Sequence, residues 1–135
     1  MREIEAALAR LRARGERIAM ATVIAVEGSA PRGEGAKMLV TESGLVEGSV
    51  SGGCVESDVA ARAQDVLASG KPVVERYGIS RDMMWDVGLS CGGTIDVYIE
   101  SLAAGRQPVF EDGVVLCTIV RGPDRVGERF LVRNS

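Results

Sequence analysis

Histidine is absent from all 135 residues. That single absence removes Ser-His-Asp and Cys-His nucleophile activation, the usual imidazole base and every mixed Cys/His zinc site. Chemistry in this chain must come from thiols, carboxylates, lysine, arginine or backbone groups. Aromatic residues make up only 4%, too few for base-stacking platforms. The net charge of −3 lacks the basic excess of a nucleic-acid-binding face, so no nucleic-acid partner is expected. No apolar run approaches the eighteen or so residues of a membrane span. The amino terminus, MREIEAALARLRARGER, is charged throughout and lacks the apolar centre of a signal peptide, so the expected address is the cytoplasm. Three cysteines, Cys54, Cys91 and Cys117, are an odd number in a reducing compartment and argue against a disulfide framework.

What remains reads as one globular domain spanning residues 1–135. Apolar residues are 46% and charged residues 26%, and the length suffices for a single core. Ile4, Leu8 and Leu11 recur at helical spacing over 2–14, with Gly15 as the stop. Residues 18–26 (IAMATVIAV) form a continuous apolar run suited to a central strand covered on both faces. Further strands are expected at 37–41, 45–50, 73–77 and 94–100. A second helix is expected over 54–69, with Val55, Val59, Ala63, Val66 and Leu67 on one face and Gly70 closing it. The stretch 78–93 lacks regular signals, a length at which a connection usually has a role of its own. Together these predict an α/β fold, a mixed β-sheet of about five to seven strands with two principal helices packed on it. With two helices only, one sheet face could be covered by a second copy, and a homodimer is expected.

Residues 18–43 can also be laid over 114–135 with one four-residue gap. Thr22 then meets Thr118, Gly35 meets Gly127 and Val40 meets Val132. This predicts a repeated hairpin at the carboxyl end, by common origin or by similarity alone.

Nine of the seventeen glycines fall in three segments that carry the candidate chemistry. In EGSAPRGEGAKM, Ser29, Arg32 and Lys37 lie among Gly28, Gly33 and Gly35; successive amides could form an anion concavity, with Arg32 as a bidentate phosphate donor. Spacing alone fits a solvated hairpin loop at least as well, since this is neither a Walker A loop nor a dinucleotide fingerprint. In GSVSGGCVE, a strand runs into a helix start whose unpartnered amides favour anions. Cys54 would occupy the first turn, where a thiol is activated, near Gly52, Gly53 and Glu56. The bland alternative is a packed cysteine with Ser51 as a cap. In WDVGLSCGGTID, Cys91 precedes Gly92 and Gly93, mirroring the second segment, and Asp86 is a neighbouring carboxylate. Trp85 with Met83 and Met84 could lie over a planar ligand or simply pack. Cys117, inside VVLCTIV, reads as core.

In that order, GSAPRGEGAKMLV, GSVSGGCVE and DVGLSCGGTIDVYIE resemble the XdhC/CoxI family of xanthine dehydrogenase accessory factors, over about residues 8–100. The resemblance implies a non-catalytic carrier and maturation chaperone. It would bind the molybdenum cofactor (molybdopterin or its dinucleotide) transiently, protect it while a cysteine desulfurase supplies the sulfido ligand, and deliver it to an apo molybdenum hydroxylase of the xanthine dehydrogenase or CO dehydrogenase type. Carried over residue by residue, the family pattern places Ser29, Pro31, Arg32 and Gly35 in the first loop. It places Gly52, Gly53, Cys54 and Glu56 in the second, and Cys91, Gly92 and Gly93 in the third. Cys91, and secondarily Cys54, would contact molybdenum or carry a persulfide, since soft thiolates suit both. Gly33, Lys37 and Ser51 complete the expected cofactor contacts. Many relatives continue into a Rossmann-like domain. Residues 105–135 are too short for one, which makes a separate Rossmann-type partner chain an expected partner. The competing readings are a thiol-dependent sulfurtransferase or nucleotidyltransferase acting on the cofactor, and a docking or regulatory module that binds no cofactor.

Overall fold

A computed structural model describes residues 2–79, 93–102, 114–118 and 129–133. The elements in order are α1 (Arg2–Arg12), β1 (Ile18–Glu27), β2 (Lys37–Thr41), β3 (Val46–Gly48), α2 (Glu56–Ser69), β4 (Val73–Gly78), β5 (Thr94–Leu102), β6 (Val114–Thr118) and β7 (Arg129–Arg133). Strands β1 to β5 form one sheet in the order β3-β2-β1-β5-β4, and β6 and β7 form a separate two-stranded ribbon.

The α/β architecture with two helices on the sheet is as the sequence predicts, but the sheet is antiparallel rather than mixed. Every pairing in it is antiparallel. A parallel pair needs a crossover that returns the chain beside the strand it left. Here α2 instead carries the chain from β3 at one edge to β4 at the other, where β4 pairs with β5 alone.

The long apolar run does form a central strand covered on both faces. Ile18 and Met20 of β1 and Leu39 of β2 pack with Ile4, Ala7, Leu8 and Leu11 of α1. The alternate residues Ala19, Ala21, Val23, Met38 and Val40 pack with Val59, Ala63, Val66 and Leu67 of α2. The two-residue period of the strands thus sorts one continuous apolar string onto two helices. One helix serves each face, so neither core needs a second copy to close it.

Helix α2 ends at Gly70 in a left-handed conformation (φ 72°), whose amide donates to the Val66 carbonyl at 2.8 Å, the stop expected from glycine. Within β1 the register against β5 shifts between Val23 and Ala25. This bulge brings Val23 and Val26, three residues apart, onto the same core and turns the strand end toward its glycine-rich loop.

The expected repeat is present as register. In the first hairpin Ile18 pairs Thr41, Ala19 pairs Val40 and Thr22 pairs Lys37. In the second Val114 pairs Arg133, Val115 pairs Val132 and Thr118 pairs Arg129. The superposition drawn from sequence maps each of these pairs onto its counterpart.

Candidate functional site

The first glycine-rich loop continues the β1–β2 ladder before it opens. The Val23 amide donates to the Ala36 carbonyl at 2.9 Å and the Gly35 amide to the Val23 carbonyl at 2.8 Å. Gly28 and Gly35 hold positive φ, 75° and 90°, which only glycine adopts without strain. Arg32, Gly33 and Gly35 are exposed at its tip.

Both other glycine segments meet this loop by close backbone approach. A Cβ on Gly52 (φ 71°) would lie 3.0 Å from Pro31 Cβ, and one on the buried Gly93 would collide with the backbone carbonyl of Ser29 and come within 2.9 Å of the Glu27 oxygen. The Ile79 amide donates to the Gly93 carbonyl at 2.8 Å, so the two ends of the intervening stretch are tied at this spot. Cys91 and Gly92, with Met83, Met84, Trp85 and Asp86, lie outside the described residues, as does the side chain of Cys117.

The second segment is organised around Glu56. Its carboxylate accepts from Ser49 Oγ at 2.6 Å, from the amides of Val50 (3.0 Å), Ser51 (2.9 Å) and Gly53 (3.0 Å), and from Ser51 Oγ. Ser51, fully buried, accepts in turn from the Cys54 and Val55 amides at 3.1 and 3.0 Å. The Gly52 amide goes to Ser49 Oγ at 2.8 Å. The anion held by these amides is therefore the chain's own carboxylate. Burial by itself pushes the Glu56 carboxyl up; the Ser49 and Ser51 hydroxyls and the Ser51 and Val50 amides outweigh burial and hold it at about 2.

Helix α2 begins at Glu56 with Val55 at its cap position, two residues later than the sequence suggests. Cys54 consequently precedes the cap instead of lying in the first turn. It is half-buried and packs against the α2-side core, and no disulfide holds it. Ser51 is not the helix cap its bland reading proposed, since Val55 holds that position; its hydroxyl instead closes the turn before the helix and grips Glu56.

Lys37 starts β2 and its ammonium donates to Thr22 Oγ1 at 3.0 Å. With Arg32 and Gly35 it lines a cleft of about 410 Å³ whose opposite wall is α1. Sequence reasoning missed that wall: Ile4, Ala7, Arg10 and Glu47 line the cleft with Gly48, and no motif marks those four. The one usable signal was Gly48, whose φ is 82° and whose Cβ would sit 2.5 Å from the Lys37 carbonyl oxygen and 2.9 Å from Ile4 Cδ1.

The sequence profile of the XdhC and CoxI family matches residues 11–78, half of the chain. The chain belongs to the XdhC and CoxI family. Two curated relatives agree with this placement. The chain is 36% identical over 92 residues to the molybdenum cofactor insertion chaperone PaoD of Escherichia coli, a match covering 68% of this chain and 29% of that protein. It is 35% identical over 98 residues to a probable xanthine dehydrogenase subunit of Bacillus subtilis, covering 71% and 30%. A crystal structure described as a xanthine dehydrogenase from Bacillus halodurans superposes with a TM-score of 0.63 at 40% identity, covering 73% of this chain and 30% of that one. The chain thus spans about 30% of the length of these family relatives.

Proposed function

We propose that this chain binds the molybdenum cofactor and delivers it to an apo molybdenum hydroxylase of the xanthine dehydrogenase or CO dehydrogenase type, acting as a carrier in the cytoplasm. One observation carries the reading: the first glycine loop is in van der Waals contact with both cysteine-bearing glycine segments, through Pro31 on Gly52 and through Ser29 on Gly93. Gly52, two residues before Cys54, and Gly93, two residues after Cys91 in sequence, are thereby seated on one shared loop. Soft thiolates suit molybdenum, and Ser29, Arg32, Gly33 and Lys37 supply donors for the pterin and its phosphate, with Gly93 leaving room for the backbone of the first loop. Glu56 serves this site by locking Val50, Ser51 and Gly53 into the turn that precedes Cys54. The name of the Escherichia coli relative, a molybdenum cofactor insertion chaperone, supports the same reading. A cysteine desulfurase, a Rossmann-type chain and a second copy of this chain are the further partners proposed.

The test is gel filtration of the purified chain mixed with molybdenum cofactor, read by pterin absorbance, followed by activation of the apo-enzyme. The wild type should co-elute with cofactor and raise client activity. Cys54→Ser/Cys91→Ser should keep a native circular-dichroism spectrum yet lose activation by at least about tenfold, since both soft ligands are gone. Full activation by that double variant removes the thiols from the mechanism. Catalytic turnover of the cofactor by the chain alone would favour a transferase instead.

A further inference from the structure

The cleft between α1 and the first glycine loop has no part in the thiol chemistry, and its own chemistry is specific. Its volume, about 410 Å³, lies within the range of about 300–1,000 Å³ typical of small-molecule sites. Among the described residues three cations, Arg10, Arg32 and Lys37, line it against one carboxylate, Glu47. In a chain of net charge −3, this leaves a local excess of two positive charges in a concave setting, which concentrates the field on an anion. Arg10 is held across the cleft by Glu47 at 3.3 Å. Arg32 has no hydrogen-bond or ion-pair partner among the described residues. Ile4 and Ala7 give the opposite wall an apolar surface. The amides of the turn that leads into α2 are already engaged, those of Val50, Ser51 and Gly53 by Glu56 and those of Cys54 and Val55 by Ser51, so the phosphate end of a ligand is better met elsewhere.

We propose that this cleft is a subsite for an organic phosphate ester, with Arg32 as the forked donor to the phosphate, Arg10 as the second cation, and the Ile4–Ala7 wall packing against the organic part. The assignment deepens the cofactor reading and rests on it for the identity of the ester, here the phosphate end of the pterin. An arginine fork matches two phosphate oxygens at once. Glu47 is the internal competitor: it occupies Arg10 until a stronger anion arrives.

Isothermal titration of the full chain with phenyl phosphate and with inorganic phosphate tests this. Phenyl phosphate should bind one site per chain, at least about fivefold more tightly than inorganic phosphate because the apolar wall adds contact. Arg32→Ala and Arg10→Ala should each weaken it about tenfold, whereas Arg14→Ala, which removes an exposed cation beyond the cleft, should change it by less than about twofold. Glu47→Gln should tighten it by about threefold by releasing Arg10. No phenyl phosphate binding at millimolar concentration, equal losses in the Arg32 and Arg14 variants, or equal affinity for both probes would each overturn the proposal. The cofactor reading is judged separately by pterin absorbance. Cofactor held equally by wild type and Arg32→Ala sinks the subsite alone, while Arg32-dependent phenyl phosphate binding without cofactor binding supports the subsite and sinks the carrier reading.

Discussion

At position 56 a carboxylate receives five hydrogen bonds, and its charge is what they serve. The folded-state carboxyl sits at about 2, below its ordinary 4.5. A depressed carboxyl contributes stability that is fully present above about pH 4.5 and is lost as pH falls toward 2. Partial exposure and solvent screening reduce the nominal value, leaving on the order of 1–2 kcal/mol. Glu56→Gln should therefore lower the unfolding free energy by about that amount at neutral pH and flatten the acid limb between pH 4.5 and 2. Urea unfolding of both proteins across that range is the measurement; parallel acid limbs would contradict the role. Glycines divide by what surrounds them. Gly48→Ala forces a Cβ against backbone and Ile4 in a left-handed conformation and should cost about 2 kcal/mol or more. Gly33 has open space and no positive φ, so Gly33→Ala should stay within about 0.5 kcal/mol of wild type by thermal melt.

Among the elements, α1 has two duties. It covers the Ile18, Met20 and Leu39 face through Ile4, Ala7, Leu8 and Leu11, and it presents Arg10 to the cleft. Leu8 is buried to 5% exposure, and Leu8→Ala should destabilise by about 2–4 kcal/mol. Loosening α1 should also weaken phenyl phosphate binding in parallel. Unchanged binding in a destabilised variant would show that the wall contributes nothing. The element boundaries that drifted from expectation did so for local reasons. Helix α2 starts at Glu56 rather than Cys54 because Ser51 claims the Cys54 and Val55 amides for its own turn, a competition that apolar periodicity does not register. Strand β3 ends at Gly48 because, just past it, the Ser49 hydroxyl and the Val50 and Ser51 amides go to Glu56 instead of continuing the ladder.

Across the whole molecule the charge distribution matters more than its total. A net −3 repels anions at long range, while the cleft cations attract them at short range. Because the exposed Arg10 and Arg32 are screened as the Debye length falls to about 8 Å at physiological salt and about 3 Å at 1 M, phenyl phosphate affinity should drop several-fold between about 0.05 and 0.5 M sodium chloride. Salt-independent affinity would place the ligand in an apolar site instead.

Apolar periodicity and glycine stops were enough to specify the helices and the strands, because those depend on interactions a few residues apart, and the unbroken apolar run of β1 and the repeated spacing of the two hairpins extended that reading to two-faced coverage and matching registers. The three glycine-rich strings were equally readable as the family's own. Antiparallel order, the seating of Gly52 and Gly93 against one loop, the capture by Glu56 of the amides of the turn before α2 and the α1 wall of the cleft were not. Each depends on where a chain segment lands after a long excursion, and side chains that meet only then leave no periodic trace in the order of residues.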